Sequence, residues 1–427
     1  MTLSAKMKTL FINFQKPYPP MGGLTLRNWQ NISLMMQLGE VHLITLDFKK
    51  SENDDKSSPP CLKTYQEFDL RFLRQQRSIQ TKIINKLSYF TPLGHPQINW
   101  LRWGVVTTAL MKFILKEKPN LIIFQDVRFY HYFQKIKTLQ ESCQFKVIYD
   151  AQNVEGKLFN DIYHSSERKQ SLFFISKFDP SKVLPIKIKR IEQRFVREAN
   201  QVWVCSENDA NLMREMYGQN LSIQVVPNGI NVHDYEHLRL GKCPLPENWK
   251  FIPHTIVFPA TFGYQPNSVA AKLLIEEIYP RLQKIYSDSR LILVGSGPTK
   301  LMRETAKSNP NIIVTGKVPD IKPYLAAGNV MVVPLQEGGG TRLKILEAFA
   351  AGIPVVSTSK GAEGLKAQDE QHLLIRDTME DIVEGIIQLW SDPCFAKKLA
   401  DNAYKLVQFE YSWEAVGDRV KAIIFPS

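Results

Sequence analysis

The sequence predicts an α/β protein built from two doubly wound parallel-sheet domains. Three observations predict it. At 427 residues the chain exceeds what one ordinary hydrophobic core organises. It opens with a strand, helix, strand unit of the kind that builds parallel sheets. From His254 onward, short apolar strands and helices alternate regularly. Hydrophobic content of 44% and charged content of 22% are ordinary for a globular protein, which excludes disordered and fibrous classes.

In order, Thr9 to Phe14 reads as the first strand, followed by a loop holding Pro17, Pro19, Pro20, Gly22 and Gly23. A helix carrying Trp29, Ile32 and Met36 comes next, closed by Gly39 as a C-cap, and Val41 to Leu46 is the second strand. Residues 49–64 are polar with Ser-Ser-Pro-Pro, a loop. From Phe68 to Leu115, Arg, Lys and aromatics recur at helical spacing, so residues 65–115 are expected to be a helical insertion. Strands resume at Leu121 to Phe124, Phe145 to Tyr149 and Val202 to Cys205. A basic helix over about Val183 to Ala199, with Lys187, Lys189, Arg190, Arg194 and Arg197, precedes the last of them.

After a strand at Ile223 to Val226, Pro227-Asn228-Gly229 signals a turn, and Pro244, Pro246 and Pro253 mark a loop. The domain boundary is therefore expected near residue 240. The second domain, 241–408, shows strands at Thr255 to Pro259, Leu291 to Val294, Ile312 to Thr315, Val330 to Pro334 and Pro354 to Ser357. Residues 409–427, with a helix over about Ser412 to Ile424, are expected to pack back on the first domain.

The apolar part of the N-terminal stretch, Leu10 to Phe14, is too short for a secretory signal, and no window reaches the roughly 18–20 apolar residues that cross a bilayer. A cytoplasmic location is the expectation. Five cysteines, an odd number without close pairs, fit neither a disulfide framework nor a zinc site. The net charge is +12, and residues 1–240 hold 33 Lys and Arg against 22 Asp and Glu, an excess of 11. A basic half suits nucleic acid, an anionic membrane leaflet or a phosphate-bearing substrate. Because the charge is spread over helices without a recognisable module, nucleic acid is not an expected partner.

The richest segment runs from Val330 to Leu365. A buried strand ends in Gly338, Gly339 and Gly340, and a helix capped by Thr341 follows. Glycines let a ligand approach the backbone, and a helix start offers free N–H groups and a positive dipole end, so this is a candidate anion site. Arg342 and Lys344 in the first turn oppose that dipole unless an anion such as a diphosphate lies nearby. One turn on, Glu347 is placed to accept hydrogen bonds from two vicinal ribose hydroxyls. The plainer alternative is an ordinary loop, two solvated cations and a carboxylate paired with a neighbour.

These residues resemble the family-4 glycosyltransferases, glycosyl transferases group 1, retaining enzymes of the GT-B architecture, which implies two Rossmann-like domains facing a cleft. The motif Leu-Glu-Ala-Met-Ala-x-Gly-x-Pro-Val-Val is matched by residues 346–356, with Phe349 for Met. Supporting pieces are Val294-Gly295-Ser296-Gly297-Pro298, Thr315-Gly316, Pro227-Asn228-Gly229, Gly361-Ala362-Glu363-Gly364 and Tyr411-Ser412-Trp413, and the similarity extends over most of the chain. The resemblance implies transfer of a sugar from a nucleotide-diphosphate sugar to an acceptor hydroxyl with retention and no bound metal. It implies a first domain that takes the acceptor and a second that takes the donor. A saccharide or lipid-linked acceptor is expected, in polysaccharide or glycolipid synthesis.

Residue by residue, the resemblance places Gly22 and Gly23 against the donor phosphate and Glu347 on the ribose, with the backbone near Val318 at the base. Gly295, Gly339, Gly340 and Thr341 complete the donor-binding set, and Arg342 and Lys344 stabilise the leaving phosphate. Many members carry a sugar-contacting glutamate at the position of Gly339, and an Arg and a Lys in the loop that here reads Thr261-Phe262-Gly263-Tyr264-Gln265-Pro266-Asn267. Gly263 and Asn267 either line the site or belong to an ordinary strand-to-helix loop with Asn267 as N-cap. Asp150-Ala151-Gln152-Asn153-Val154-Glu155 corresponds to a motif with His at the position of Gln152, and Gln cannot exchange a proton. Asp150 and Gln152 are counted with Arg342 and Lys344 as catalytic candidates, Gln152 by donating a hydrogen bond to a sugar hydroxyl; Asp150 and Glu155 are acceptor-side groups or, equally, carboxylates that cap the next helix. The basic helix either touches anionic lipid or is a solvated face. The rival readings are a nucleotide-sugar epimerase of the same fold and a non-catalytic nucleotide-sugar-binding protein.

Overall fold

The computed structural model of the protein describes residues 7–20, 22–47, 59–75, 104–160, 180–339 and 342–426. The chain divides into two compact units, residues 1–226 with 420–427, and residues 227–419. The division falls at Pro227 rather than near residue 240. Ile230 pairs with Ser412 in an isolated parallel bridge, and Ile230, Val232, Tyr235 and Leu238 are part of the second unit's core.

The first unit is a seven-stranded sheet of order β3-β2-β1-β4-β5-β6-β7, with every pairing parallel. Its strands are β1 (Met7–Phe14), β2 (Gly39–Asp47), β3 (Thr64–Asp69), β4 (Leu121–Phe124), β5 (Lys146–Asp150), β6 (Gln201–Val204) and β7 (Ile223–Val225). Leu121-Ile122-Ile123-Phe124 is buried at every position because helices cover both faces of such a sheet. One face carries an aromatic core in which Phe195 stacks on Phe133 and Tyr149. The other face meets α1 (Gly23–Leu38) and is unusually polar: Arg27, Asn28, Gln30 and Asn31 of α1 are all buried.

Several expectations need correction. The stretch expected to be a helical insertion begins with an edge strand, β3, whose Thr-Tyr-Gln-Glu-Phe-Asp is mostly exposed and so gives no apolar signal. Short helices follow at Leu70–Gln75 and Gly104–Glu117, and the rest of the expected insertion, 76–103, lies outside the described residues. Gly39 is the C-cap, its N–H donating to the Met35 carbonyl, though with extended rather than left-handed backbone, because it also opens β2. The basic helix spans Pro180–Glu198 and accommodates Pro185.

The second unit is a six-stranded parallel sheet of order β10-β9-β8-β11-β12-β13. It comprises β8 (Thr255–Pro259), β9 (Arg290–Val294), β10 (Ile312–Val314), β11 (Val330–Val333), β12 (Val355–Ser357) and β13 (Leu374–Ile375). The two-residue β13 left no mark in the sequence. In both sheets the strand order reverses at a switch point, β1/β4 in the first and β8/β11 in the second, and open parallel sheets bind ligands outside the carboxyl ends of the strands there.

Candidate functional site

In the second unit, the sequence-predicted residues gather on the loops that leave those carboxyl ends. Gly263 follows β8, Gly295 directly follows β9, Val318 follows β10, and Gly338 and Gly339 follow β11. The loops touch one another. Gly295 N–H donates to the Gly316 carbonyl at 3.2 Å and to Thr315 Oγ1 at 3.3 Å. Gly295 adopts φ 137°, and a Cβ there would lie 1.9 Å from the Ala260 carbonyl oxygen, so close backbone approach requires glycine. Around Gly263, by contrast, nothing lies within 4 Å of where a Cβ would stand. Val318 is partly buried against the core.

The helix Leu343–Ala351 leaves the loop after β11 and supplies the charged groups. Arg342 is its N-cap residue rather than a first-turn residue, and its guanidinium turns back onto the glycine loop. It donates to the carbonyls of Gly339 at 2.7 Å, Gly338 at 2.9 Å and Lys360 at 3.3 Å, and the side chain is buried. Arg342 therefore organises the loop. Gly340 and Thr341 lie outside the described residues.

Lys344 Nζ donates to Asn267 Oδ1 at 3.0 Å and stands 4.1 Å from the centre of the Phe258 ring. Burial, with Arg342 nearby, pushes its ammonium down to about 7. Asn267 is not the N-cap of its helix. That helix spans Gln265–Leu273 with Tyr264 at the cap position, while the Asn267 amide donates back to the Thr261 carbonyl at 2.9 Å and presents its oxygen to Lys344.

Glu347, one turn beyond Leu343, accepts a hydrogen bond from Tyr235 Oη at 3.1 Å. Burial pushes its carboxyl up to about 7, against the pull of Tyr235, Lys344 and Lys322. Lys344 and Glu347 thus form a pair on one helix, each poised to change charge near neutrality. Tyr235 and Phe258 carried no signal in the sequence: one lies in a short 3-10 turn before the sheet begins, and the other reads as a core strand residue.

A cavity of about 510 Å³ opens at the opposite, amino ends of this sheet, lined by Arg239, His254, Asn329, Gly352, Trp390 and Lys397 among others. None of the predicted donor residues lines it.

In the first unit, Gly22 precedes α1 and Gly23 is its first residue; the Gly22 carbonyl accepts from Leu26 N–H at 2.8 Å and Thr25 Oγ1 at 3.0 Å. Asp150, at the end of β5, is fully buried. Its Oδ1 accepts from Arg27 Nη2 at 2.5 Å and Nε at 3.2 Å, and its Oδ2 from Asn31 Nδ2 at 2.8 Å. So enclosed, the carboxylate holds α1 on the sheet through Arg27 and Asn31. Gln152 donates to Asn28 Oδ1 at 2.6 Å and is partly exposed.

The fully buried Glu192 accepts from the Glu155 and Gly156 amides at 2.9 and 2.7 Å, and from Tyr217 Oη at 2.5 Å. Burial beside Asp126 and Glu192 pushes the Glu155 carboxyl up to about 8. Among the described residues no cluster of three His, Cys, Asp or Glu side chains is placed to hold a metal ion, and no helix is long and apolar enough to cross a membrane.

Comparison with known proteins points the same way. Residues 253–392 match the family model of glycosyl transferases group 1. The teichuronic acid biosynthesis glycosyltransferase TuaC of Bacillus subtilis is 27% identical over 35% of this chain and 37% of its own length. A GDP-mannose-dependent monoacylated alpha-(1-6)-phosphatidylinositol monomannoside mannosyltransferase of Corynebacterium glutamicum is 22% identical over 53% of this chain and 62% of its own. The chain thus spans less than two thirds of the length of these curated relatives. Among solved structures, sucrose-phosphate synthase of Thermosynechococcus elongatus superposes with TM-score 0.66 at 17% identity, covering 98% of each chain. Anabaena HepE, solved with UDP and glucose, superposes with TM-score 0.64 at 12% identity, covering 98% of this chain and 99% of that one. Two parallel-sheet α/β units, these superpositions and the match over residues 253–392 give the chain the GT-B fold of glycosyltransferases.

Proposed function

We propose that the protein is a retaining, metal-independent glycosyltransferase that moves a sugar from a nucleotide-diphosphate sugar to an acceptor hydroxyl, in polysaccharide or glycolipid synthesis. The observation that carries this reading is the pair Lys344 and Glu347 on one helix at the carboxyl ends of the second sheet, beside close-packed glycine loops. The named relatives support the donor class: one is GDP-mannose-dependent, and another protein of this fold was solved with UDP.

In this reading the donor diphosphate sits at the start of the Leu343–Ala351 helix, where the dipole and the Lys344 ammonium favour negative charge. Those groups stabilise the charge that develops on the leaving phosphate, which lowers the barrier because they are already oriented. Arg342 holds Gly338 and Gly339 in place, with Gly340 and Thr341 completing the loop. The Glu347 carboxylate accepts from the ribose hydroxyls and is oriented by Tyr235. Gly263, Asn267 and Gly295 shape the donor loops, the backbone at Val318 meets the base, and Gly22 and Gly23 leave room for phosphate. Gln152 hydrogen-bonds a sugar hydroxyl and moves no proton.

Release of free nucleoside diphosphate from UDP-, GDP- and ADP-sugars, with and without acceptor, tests the reading. An epimerase would interconvert the donor without releasing diphosphate, and a binding protein would do neither. Unchanged transfer by both Lys344→Ala and Glu347→Ala would remove the site assignment. We further propose that the protein works at the cytoplasmic face of an anionic membrane: Ile186, Lys189, Arg190, Arg194 and Arg197 are exposed on the Pro180–Glu198 helix, a basic face with an apolar contact. Sedimentation with anionic but not neutral liposomes, lost at high salt, is the expected result.

A further inference from the structure

The polar face of the first sheet contains an arrangement that neither the fold nor the donor chemistry explains. Thr45 of β2 pairs with Asn13 of β1, and the next residues in the same row are Gln125, just beyond β4, and Asp150, which ends β5. The Gln125 N–H donates to the Ile12 carbonyl at 3.1 Å, which fixes its place in the row. Four polar residues therefore stand side by side at the carboxyl ends of four adjacent parallel strands, and all four are buried, at 0, 0, 3 and 0% exposure. The row spans the β1/β4 switch point, where such sheets take ligands.

The two ends of the row are satisfied. Thr45 Oγ1 donates to Asn13 Oδ1 at 2.8 Å, and the Asp150 carboxylate is held by Arg27 and Asn31. Between them, Asn13 Nδ2 and both amide atoms of Gln125 have no hydrogen-bond partner among the described residues, and neither does Asn31 Oδ1 on α1. Buried amides are nearly always paired, because a buried unpaired donor or acceptor keeps its full desolvation cost. The unclaimed set mixes donors and acceptors, while the neighbouring charges of Arg27 and Asp150 already neutralise each other. An anion would face acceptor oxygens there and a cation would face N–H groups. A hydroxyl group both donates and accepts, so it fits the set.

We propose that Asn13, Gln125 and Asn31 form a site for the hydroxyl groups of a neutral saccharide, which makes Gln125 a determinant of acceptor specificity. This rests on the transferase reading above for the ligand's role, though not for its chemistry. Saturation-transfer NMR with the uncharged methyl glycosides of glucose, galactose and mannose tests it on the full chain, with binding of UDP and GDP measured in parallel. At least one glycoside is expected to bind the wild type, and Gln125→Met and Asn13→Leu are each expected to weaken it about tenfold with nucleotide affinity unchanged. Should Gln125→Met fail to fold, Gln125→Glu, which keeps the shape and replaces the donor, is expected to weaken the glycoside in the same way. Equal glycoside affinity in folded variants and wild type would overturn the proposal and leave the row a holder of trapped water. Displacement of the glycoside by inorganic phosphate, or no binding by any glycoside, would overturn it as well. Glycoside binding without nucleotide binding would instead strike the transferase reading and leave this site standing.

Discussion

Tyr235 Oη donates to Glu347 Oε1 at 3.1 Å, so a residue from the turn that precedes the second sheet fixes the carboxylate proposed to hold the ribose. This bond favours the ionised form of a carboxyl that burial pushes up to about 7. Removing it with Tyr235→Phe should raise that value further. The expected outcome is donor affinity weakened about fivefold to tenfold at pH 7, roughly the worth of one hydrogen bond to a charged group, with the loss shrinking at higher pH. Calorimetric titration of the nucleoside diphosphate at two pH values checks it.

In the proposed function, donor capture needs Lys344 charged and Glu347 ionised, and burial brings both groups to about 7. The pH profile of kcat/KM for the donor is therefore expected to be a narrow bell centred near neutrality, its two limbs belonging to the pair rather than to either residue. Lys344→Met should lower the maximum and flatten the alkaline limb. A profile that stays flat from pH 6 to about 8 would count against the pair.

The same two groups make stability depend on pH in opposite senses. Folded Glu347 keeps its proton up to about pH 7, whereas unfolded it releases it near 4.5, so its destabilising contribution grows from about pH 4.5 and is complete above 7. Folded Lys344 loses its proton near 7 and unfolded near 10.5, so its contribution is complete below 7 and fades toward 10.5. In urea unfolding, Glu347→Gln is expected to stabilise the protein at pH 9 and little at pH 5. Lys344→Met should stabilise it most at pH 5, less at pH 9 and not at all near 10.5, each effect being on the order of 1–3 kcal/mol.

Two glycines that look alike in sequence should behave differently. Gly295→Ala would drive a Cβ to 1.9 Å from the Ala260 carbonyl oxygen at a positive φ and is expected to cost more than about 2 kcal/mol of stability. Gly263→Ala meets nothing within 4 Å, so stability should stay within about 0.5 kcal/mol while donor affinity falls. Thermal unfolding with and without nucleotide separates the two effects.

Arg27 and Asp150 form a buried, hydrogen-bonded ion pair that ties α1 to β5, and Arg27 Nη1 also reaches the Val226 carbonyl at 2.7 Å. Deleting one partner strands the other charge in the interior, so Arg27→Met is expected to destabilise the first unit by about 3–5 kcal/mol. A denaturation curve that splits, with the second unit unfolding at its original midpoint, is the signature to look for.

Much of this protein was legible in its sequence. Period and turn chemistry act over a few residues, so the apolar runs at β4, β8, β9 and β11 announced buried parallel strands, and Gly263, Gly295 and Gly338 announced the loops after the last three. The run Arg342, Lys344 and Glu347 placed the second unit's charged groups on one helix start. The polar edge strand β3 was not legible, because an edge needs no apolar alternation, and the two-residue β13 was too short to leave a pattern. Charge roles also escaped. Arg342 reads as a phosphate ligand, yet the fold turns its guanidinium onto three backbone carbonyls, and Asp150 reads as a reacting carboxylate, yet α1 closes over it. Tertiary structure alone brought Tyr235 to Glu347, Asn267 to Lys344, and Asn13, Gln125 and Asp150 into one row, since each pairing joins residues far apart in the chain. Sequence determined which chemical groups the protein carries and on which elements; packing decided which of them are already engaged, and so which remain open to a ligand.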